Sequence, residues 1–574
     1  SLTKNRVSTL VNIIGLAIGM AAFALIIQYV RYELSYDRFH RNGDRIYRIQ
    51  QDRYNKGLIT TQWAAGCSAV GQAIYENFDQ VEDFTRFTIT DGVFSRGETQ
   101  FREEAVYLAD TSFFEIFSFE IITGDPGTAL REPLVMFLSE STAKKYFGDV
   151  DPIGESLRFD GGPEVKIVGL FRDAPGNSHL KPDMVISWET LVHFRGPDIN
   201  TAWQWDGFFN YLLLHAENDP GEFEAKIPAY VQETIGENLE QYNSGVVYHL
   251  QPLKSIHLHS DFMMEAETNG NATTVYALIA VALFLVIIAW INYINLASAR
   301  SLERAREVGM RKVTGARRTH LVSQFLVESL ILNLVAILLA VVIVLLTGPL
   351  FDRLTGRSLD YSIVSNPGSW ALILLLFVAG AVIAGIYPAL LLSSFKPTTV
   401  FHGKLKVGGL GLRRLLVIFQ FTTTLLLLAG TLTVYFQVSF MRNQDLGVDI
   451  KDVLVLQGPS VNDSTYSETF SAFKSELLRN PVIEKVSAST AVPGRKPAWN
   501  AGGIRRVSEG DDQGNQYRIL GFDYEFADFY GLEILEGRNF SEEFGRNSET
   551  VLFNEAAIEL MGFEDFSSAM NVPI

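Results

Sequence analysis

The chain has a single cysteine, Cys67, among its 574 residues. An intrachain disulfide is therefore excluded, and any large domain must be held together by its hydrophobic core. The phosphate-binding pattern G-x-x-x-x-G-K-[ST] is also absent, so the chain has no nucleotide cradle of that type. We find no paired carboxylates or nucleophile triad that would indicate an enzyme. Nothing in the sequence points to nucleic-acid binding.

Charge is missing from five long apolar runs, and these runs are the most informative feature of the chain. Each contains the roughly 20 apolar residues that a helix needs to cross about 30 Å of hydrocarbon. The runs are Val7–Val30, Thr268–Ala299, Ser329–Phe351, Tyr361–Phe395 and Leu415–Met441. They predict a multi-span α-helical membrane protein. The alternative is a soluble protein with five buried helices.

The charges between the runs predict an orientation in the membrane. Residues 298–320 carry seven Lys/Arg against two Asp/Glu, and residues 393–414 carry five against none. Excess Lys/Arg marks the cytoplasmic side, so we predict that the N-terminus and both of these loops are cytoplasmic. Segments 31–272 and 442–574 are then outside, and the first has a net charge of −18. Such an acidic surface favours solubility or, alternatively, cationic partners.

These features predict the following organisation. Membrane helices are expected at 1–32, 273–298, 321–350, 368–394 and 413–440, with outside domains at 33–272 and 441–574 and cytoplasmic loops at 299–320 and 395–412. The beginning and end of the sequence suggest a fragment, trimmed slightly at the front and substantially at the back.

The first outside domain is predicted to be mixed α/β. Three segments have the apolar, β-branched composition of strands: Arg45–Gln51, Val165–Phe171 and Asn210–His215. Glu140–Phe147 is predicted to be a short helix that Gly148 ends, and Phe223–Ile235 an amphipathic helix.

The two outside domains also share a repeat. Residues 110–125 align without gaps with residues 523–538, and residues 135–148 resemble residues 551–563. Duplicated halves are common among membrane transporters. The repeat therefore predicts an internally duplicated chain, with about three further spans after Ile574 if the duplication is complete.

The loop after the second apolar run has a specific pattern. Residues 300–332 begin with a helical segment that pairs Glu307 with Arg311, and Gly309 and Gly315 are expected to interrupt it before the third span. This pattern resembles the hallmark REIGIRRALGA…QFLxES of the MacB/FtsX-like permease family of ABC transporters. The matching residues are Arg306, Glu307, Gly309, Arg311, Gly315, Ala316, Gln324, Phe325, Glu328 and Ser329. Residues 12–20, 32–40, 387–397, 412–421 and 443–449 also look like segments of that family.

The resemblance implies a fold and a mechanism. The outside domain would be a MacB-like periplasmic core domain. The chain would be a permease in the bacterial inner membrane, and its system would drive the efflux or extraction of a drug, a peptide or a lipoprotein. ATP and Mg²⁺ would bind a separate cytoplasmic ATPase, and this chain would hold no cofactor or metal. The resemblance also implies a periplasmic adaptor or outer-membrane protein as a further partner.

The family also implies roles for particular residues. The loop would dock on the ATPase through the residues Arg306, Glu307, Gly309, Arg311, Lys312, Gly315 and Ala316. ATP-driven closure would then move the periplasmic domains through stalk helices, expected at Arg31–His40 and Phe262–Thr274. Two alternatives are an FtsX-like regulator that activates a periplasmic partner such as a cell-wall hydrolase, and a static membrane-anchored binding module.

Two smaller patterns complete the predictions. Gly15 and Gly19 have the G-x-x-x-G spacing that permits close helix packing in a membrane. His257 and His259 lie on an expected strand, where their spacing would place both side chains on one face as two metal ligands. No third ligand stands at a suitable spacing, so an ordinary structural role is favoured.

Overall fold

The computed structural model describes residues 6–55, 57–314, 316–357, 359, 371, 374–380, 382, 386, 410–459, 465–495, 499–510, 513–541, 543 and 549–574. The α-helices in these ranges are α1 Arg6–Glu33, α2 Val70–Asn77, α3 Phe113–Phe117, α4 Pro126–Ala129, α5 Glu140–Phe147, α6 Trp188–Arg195, α7 Pro220–Glu224, α8 Ile227–Gln241, α9 Ile256–His259, α10 Ala272–Val313, α11 Arg318–Thr355, α12 Leu410–Asn443, α13 Tyr466–Leu477, α14 Phe526–Tyr530, α15 Glu555–Leu560 and α16 Phe566–Ala569. The β-strands are β1 Ile46–Asn55, β2 Leu58–Trp63, β3 Gly66–Cys67, β4 Val81–Arg96, β5 Thr99–Ala109, β6 Ile121–Thr123, β7 Val135–Ser139, β8 Ser156–Phe159, β9 Glu164–Phe171, β10 Met184–Ser187, β11 Asp206–Leu214, β12 Ser244–Pro252, β13 Trp499–Ile504 and β14 Asn515–Ile519.

The chain divides into two compact units. The span unit consists of Ser1–Tyr36, His257–His259 and Gly270–Asn443, and the sheet unit consists of Asp37–Ile256, Ser260–Asn269 and Gln444–Ile574. The short insertion 257–259 belongs to the span unit although residues on both sides of it belong to the sheet unit.

A twelve-stranded mixed sheet forms the centre of the sheet unit. Its main path runs β12-β1-β11-β4-β5-β10-β7-β9-β6, with β2 on β1, β3 on β11 and β8 against β4 and β9. The β5–β10 and β7–β9 pairs are parallel, and the other pairs are antiparallel. The predicted mixed α/β character of this domain is therefore confirmed.

Local sequence explains several of these elements. Side chains of β9 alternate between exposed and buried positions, as a strand with one face on the core requires. Helix α5 begins where the Ser139 hydroxyl accepts a hydrogen bond from the Thr142 N–H, and it ends at Gly148, whose φ is +63°. The bounds of α5 agree with the predicted helix Glu140–Phe147.

An aromatic cluster on one face of the sheet forms its largest core. The Phe87 ring lies 5.1 Å from those of Tyr107 and Phe209 and 5.5 Å from that of Phe113, measured between centroids. All four side chains are buried. Phe113 comes from α3, so the cluster attaches this short helix to β4, β5 and β11.

Four of the described helices are long and apolar enough to cross a membrane. These candidate spans are Thr9–Glu33, Ala272–Ala297, Arg318–Thr355 and Arg414–Asn443. They correspond to the first, second, third and fifth apolar runs. The span expected at 368–394 lies largely outside the described residues.

Small residues mediate the packing of α1 against α10 and α11. Ala17 and Ala21 on α1, Ala282 on α10, and Ala336 and Ala340 on α11 are buried in one hydrophobic cluster. Small side chains allow helix backbones to approach closely where lipid provides no hydrophobic drive.

The structure corrects the expected stalk helices. Helix α1 ends at Glu33 and turns follow it, so Arg31–His40 is not a continuous helix. Helix α10 begins only at Ala272, because the Asn271 side chain accepts a hydrogen bond from the Thr274 N–H and caps it there. The expected strand around His257 is also wrong, since residues 256–259 form the helical turn α9.

The two aligned repeat segments have the same local structure. Helix α3 and helix α14 each have five residues at aligned positions, and each ends at a left-handed residue, Ser118 (φ +52°) and Gly531 (φ +67°). The aligned glycines Gly124 and Gly537 both have positive φ, +98° and +85°. The positive φ at this position accounts for the glycine that the two segments share.

Candidate functional site

The candidate site is the end of α10 and the turn that follows it, because the predicted coupling residues lie there. Helix α10 continues without a break from its candidate span, Ala272–Ala297, to Val313. At 1.5 Å per residue, the extension 298–313 is about 24 Å long. Arg306, Glu307 and Gly309 lie within this extension on helical backbone, while the side chains of 298–309 are outside the described part of the chain.

The prediction that Gly309 interrupts the helix is wrong. Glycine inside a helix costs only about 1 kcal/mol relative to alanine, and the helix continues on both sides of it here. Gly315, the other expected interruption, is outside the described residues. The chain nevertheless turns next to it, between Thr314 and Arg317.

Hydrogen bonds define this turn. The Thr314 hydroxyl donates to the carbonyl oxygen of Arg311 at 2.9 Å, and the Ala316 N–H donates to the same oxygen at 2.9 Å. Carbonyl groups at the C-terminus of a helix lack partners within the helix. Thr314 and Ala316 therefore close the end of α10, and the predicted coupling residue Ala316 lies in the turn itself.

A side-chain hydrogen bond joins the two helices across the turn. The Arg311 Nη1 donates to the Gln324 Oε1 at 2.7 Å, so a side-chain contact connects α10 and α11 beyond the loop itself. Both residues belong to the sequence pattern that suggested a coupling function. Their contact gives that spacing a structural reason.

The tip of this hairpin is strongly basic. Arg311, Arg317 and Arg318 are exposed and Lys312 is half-buried. Burial lowers the pKa of Lys312, and the positive charge of Arg318 lowers it further. The tip is therefore suited to contact an acidic or polar protein surface. In the described part of the chain, no group of three or more His, Cys, Asp or Glu side chains is arranged to hold a metal ion.

Gly15 and Gly19 lie on the face of α1 that contacts α10. A Cβ atom added at Gly19 would lie 2.6 Å from the Cβ of Ala289, whereas one added at Gly15 would have its nearest neighbour, the Asn292 Nδ2, at 3.5 Å. The two glycines of the motif therefore have different steric requirements.

This difference predicts opposite outcomes for two alanine substitutions. Gly19→Ala should destabilise the span unit by about 1–3 kcal/mol, the usual cost of overpacking, and lower the melting temperature of the detergent-solubilised chain. Gly15→Ala is the matched control and should leave the melting temperature unchanged or raise it. Equal melting temperatures for both variants would contradict the close approach at Gly19.

Sequence reasoning did not find two buried ion pairs, Glu33 with His257 in the span unit and Arg48 with Glu265 in the sheet unit. The members of each pair are more than 200 positions apart in the sequence. No local pattern connects such residues, so only the folded structure reveals them.

Comparison with known families extends these observations. The profile of the MacB-like periplasmic core domain matches residues 9–230, and the profile of the FtsX-like permease C-terminal domain matches residues 279–397. Together the two matches cover more than half of the chain. The second match contains the whole α10–α11 turn and its basic tip.

Curated relatives agree with these matches. The macrolide export ATP-binding/permease protein MacB of Aggregatibacter actinomycetemcomitans is 23% identical over 265 residues, which are 44% of this chain and 37% of that protein. The pyoverdine export ATP-binding/permease protein PvdT of Pseudomonas syringae pv. tomato is 24% identical over 243 residues, 42% of this chain and 34% of that protein. The matched region thus spans little more than a third of these relatives.

Among solved structures, the periplasmic region of MacB from Actinobacillus actinomycetemcomitans matches with a TM-score of 0.27 and 12% identity, covering 36% of this chain and 89% of that one. The two family profiles and the curated relatives lead to one assignment, which confirms the resemblance seen in the loop motif. The chain belongs to the MacB/FtsX-like family of ABC transporter permeases.

Proposed function

We propose that the chain is the permease of an export or extraction system that a separate cytoplasmic ATPase drives. ATP hydrolysis by that ATPase would move the domains on the other side of the membrane, which is mechanical transmission rather than passage through a channel. The named activities of the relatives, macrolide and pyoverdine export, belong to this class. For this chain the substrate would be a drug, a peptide or a lipoprotein.

The observation that carries the proposal is the continuous helix α10. Its 42 residues include both a candidate span and the basic tip of the α10–α11 turn. A partner that displaces the tip would therefore displace the membrane helix as well, since no break in the described helix absorbs the motion. Coupling between distant sites requires such a rigid element together with two states that both sites bias.

The charge pattern supports an orientation for this system. The basic tip would face the cytoplasm and the sheet unit the periplasm, with the chain in the bacterial inner membrane. The names of the relatives combine an ATP-binding part with a permease part, whereas this sequence has no G-x-x-x-x-G-K-[ST] pattern. We therefore place ATP and Mg²⁺ on a partner subunit. A periplasmic adaptor or outer-membrane protein would be a further partner.

Substitution of Gly309 tests the proposal. Gly309→Pro should kink or break α10, because proline inside a helix costs about 3 kcal/mol and removes a backbone hydrogen bond. We expect this variant to lose the ATPase during co-purification in detergent. Gly309→Ala is the matched control, which keeps the helix and should retain the ATPase as the parent does.

A double variant tests the contribution of the charge at the tip separately from the continuity of the helix. Lys312→Glu together with Arg317→Glu reverses two charges at the tip, adds no helix breaker and leaves the Arg311–Gln324 hydrogen bond in place. It should also release the ATPase. If the parent chain retains no ATPase, or if the proline and charge-reversal variants retain it as well as the parent does, the coupling function is refuted.

A further inference from the structure

A buried ionic cluster lies at the end of α1. Glu33, the last residue of that helix, is 2% exposed, and its histidine partner comes from far along the chain: the His257 Nε2 donates to the Glu33 Oε2 at 2.7 Å. The Arg357 Nε lies 3.7 Å from the other carboxylate oxygen. All three residues belong to the span unit. Buried charges require paired partners of this kind.

Aromatic rings enclose the cluster. The Tyr36 ring is stacked parallel on the His257 ring, with 3.3 Å between centroids, and the Arg357 guanidinium lies 5.7 Å from the centroid of Tyr36 and 5.9 Å from that of Tyr32. Cations are attracted to aromatic faces at such distances. The cluster therefore brings together the end of α1, the helical turn α9 and the residues directly after α11.

The backbone of a fourth segment passes directly over the ion pair. A Cβ atom added at Gly270 would lie 2.7 Å from the Glu33 Oε2 and 2.8 Å from the His257 Nε2. Only glycine leaves the pair in place here. Gly270 immediately precedes Asn271, the residue that caps α10.

The cluster also coincides with the points where the chain passes between its two units. The chain leaves the span unit after Tyr36, returns at His257, leaves again after His259 and returns at Gly270. Tyr36, His257 and Gly270 are all in the cluster, and His259 is two residues from it. The chain is thus tied to the span ends at or beside each of its first four passages between units.

We propose that Glu33, His257 and Arg357 form a joint that transmits the motion of the spans to the sheet unit; this rests on the proposed function. The three side chains are positioning residues, which hold the end of α1, the turn α9 and the end of α11 together so that these elements move the connecting segments as one. Well-packed apolar side chains of similar volume are often as stabilising as a buried ion pair, or more so. Its location at the chain passages, rather than its stability, identifies it as a transmission element.

The experiment measures a distance between the units in the full chain with its ATPase, reconstituted in lipid nanodiscs. Spin labels would be attached to Leu346→Cys on α11 and Val150→Cys in the sheet unit, which are 76% and 62% exposed. Cys67→Ser removes the native thiol. The label distance is compared with and without ATP plus vanadate, and the parent chain should show a nucleotide-dependent shift.

Two variants disturb the joint in different ways. Glu33→Gln removes its negative charge, and Gly270→Ala pushes the ion pair apart without changing any charge. Each should retain the ATPase and hydrolyse ATP within about twofold of the parent rate, yet lose the distance shift. Glu103→Gln is the control, since Glu103 is also buried and paired, with Lys145 at 2.7 Å inside the sheet unit; it should keep the shift.

The outcomes separate the joint from the function on which it rests. If the parent shows no shift or binds no ATPase, the proposed function is refuted and the joint with it. If the parent shows the shift and a folded Glu33→Gln or Gly270→Ala variant shows it equally, the joint alone is overturned. Should Glu33→Gln fail to fold, Gly270→Ala still decides the question. Loss of the shift in Glu103→Gln would also overturn the joint, because any damaged ion pair would then have the same effect.

Discussion

Replacing Arg48 by methionine is expected to lower the melting temperature of the sheet unit by about 10 °C. Arg48 is fully buried on β1, and its guanidinium donates to both carboxylate oxygens of Glu265, at 2.6 and 3.0 Å. It also donates to the Gln251 Oε1 and the Ser260 Oγ, at 2.6 and 2.8 Å. Methionine would fill part of the space but leave the carboxylate of Glu265 without its cation.

The unpaired carboxylate explains most of the expected loss. Burial alone would raise the pKa of Glu265, but the hydrogen bonds and the charge of Arg48 outweigh it and hold that pKa below its ordinary value. Removing one partner of a buried pair costs about 3–5 kcal/mol, whereas removing both is often close to neutral. The double variant Arg48→Met with Glu265→Gln should therefore recover part of the lost stability.

The measurement is thermal unfolding of the detergent-solubilised chain, followed by tryptophan fluorescence. Arg158→Ala is the control. The Arg158 Nη2 lies 3.0 Å from the Glu164 Oε1, but both side chains are more than half exposed. Exposed pairs contribute about 0–1 kcal/mol, so this variant should unfold close to the parent. A double variant no more stable than Arg48→Met would assign the loss to the bonds with Gln251 and Ser260 instead.

Much of the local structure could be predicted because it depends on neighbouring residues. The bounds of α5 follow from Ser139 before it and Gly148 after it, and β9 follows from its alternating side chains. The predicted amphipathic helix at Phe223–Ile235 is instead divided between α7 and α8, which Pro228 near the start of α8 helps to explain.

The sheet order and the ion pairs could not be predicted, because they depend on distant residues. Strand β1 pairs with β11 and β12, which come more than 150 positions later, and no periodicity within a segment identifies such partners. The continuity of α10 through Gly309 was missed for a different reason. A single residue's helix propensity is a small term, which the surrounding helix can outweigh.

The candidate site shows both situations. The loop motif was recognisable from the sequence because its residues are close together, and the Arg311–Gln324 bond spans only thirteen positions. The joint at Glu33 was not recognisable, since His257 looked like half of an incomplete metal site. Its partner is a carboxylate at the end of the first span, a contact that appears only when α9 is folded back onto the span unit.

Asp37→Asn is expected to destabilise the sheet unit and to flatten its response to acid. Asp37 is fully buried, and its Oδ1 accepts from the His179 backbone N–H at 3.0 Å and lies 2.9 Å from the His179 Nδ1. The His40 Nε2 lies 3.6 Å from the same oxygen. Asparagine tolerates the left-handed backbone of this position, where φ is +57°, so the change acts mainly through the lost charge.

The pH dependence follows from the direction of the pKa shift. Burial alone would raise the pKa of Asp37, but the charge and hydrogen bonds of His179, with a further hydrogen bond from His40, hold it well below its ordinary value. In the unfolded chain an aspartate titrates at a pH of about 3.9. The stabilisation is therefore complete above that pH and is lost as the pH falls toward the folded-state pKa.

Melting temperatures between about pH 5 and pH 3 test this expectation. The parent should lose stability steeply as the pH falls. The free energy of unfolding of Asp37→Asn should be lower than the parent's by about 3–5 kcal/mol at pH 5, and its melting temperature should change less with pH. Asp44→Asn is the matched control, because that carboxylate is 86% exposed beside Lys254 and its loss should leave the parent's acid response intact. An Asp37→Asn variant with the parent's slope would mean that other carboxylates govern acid unfolding. The buried Asp37–His179 contact would then stabilise the fold through packing and neutral hydrogen bonds rather than through charge.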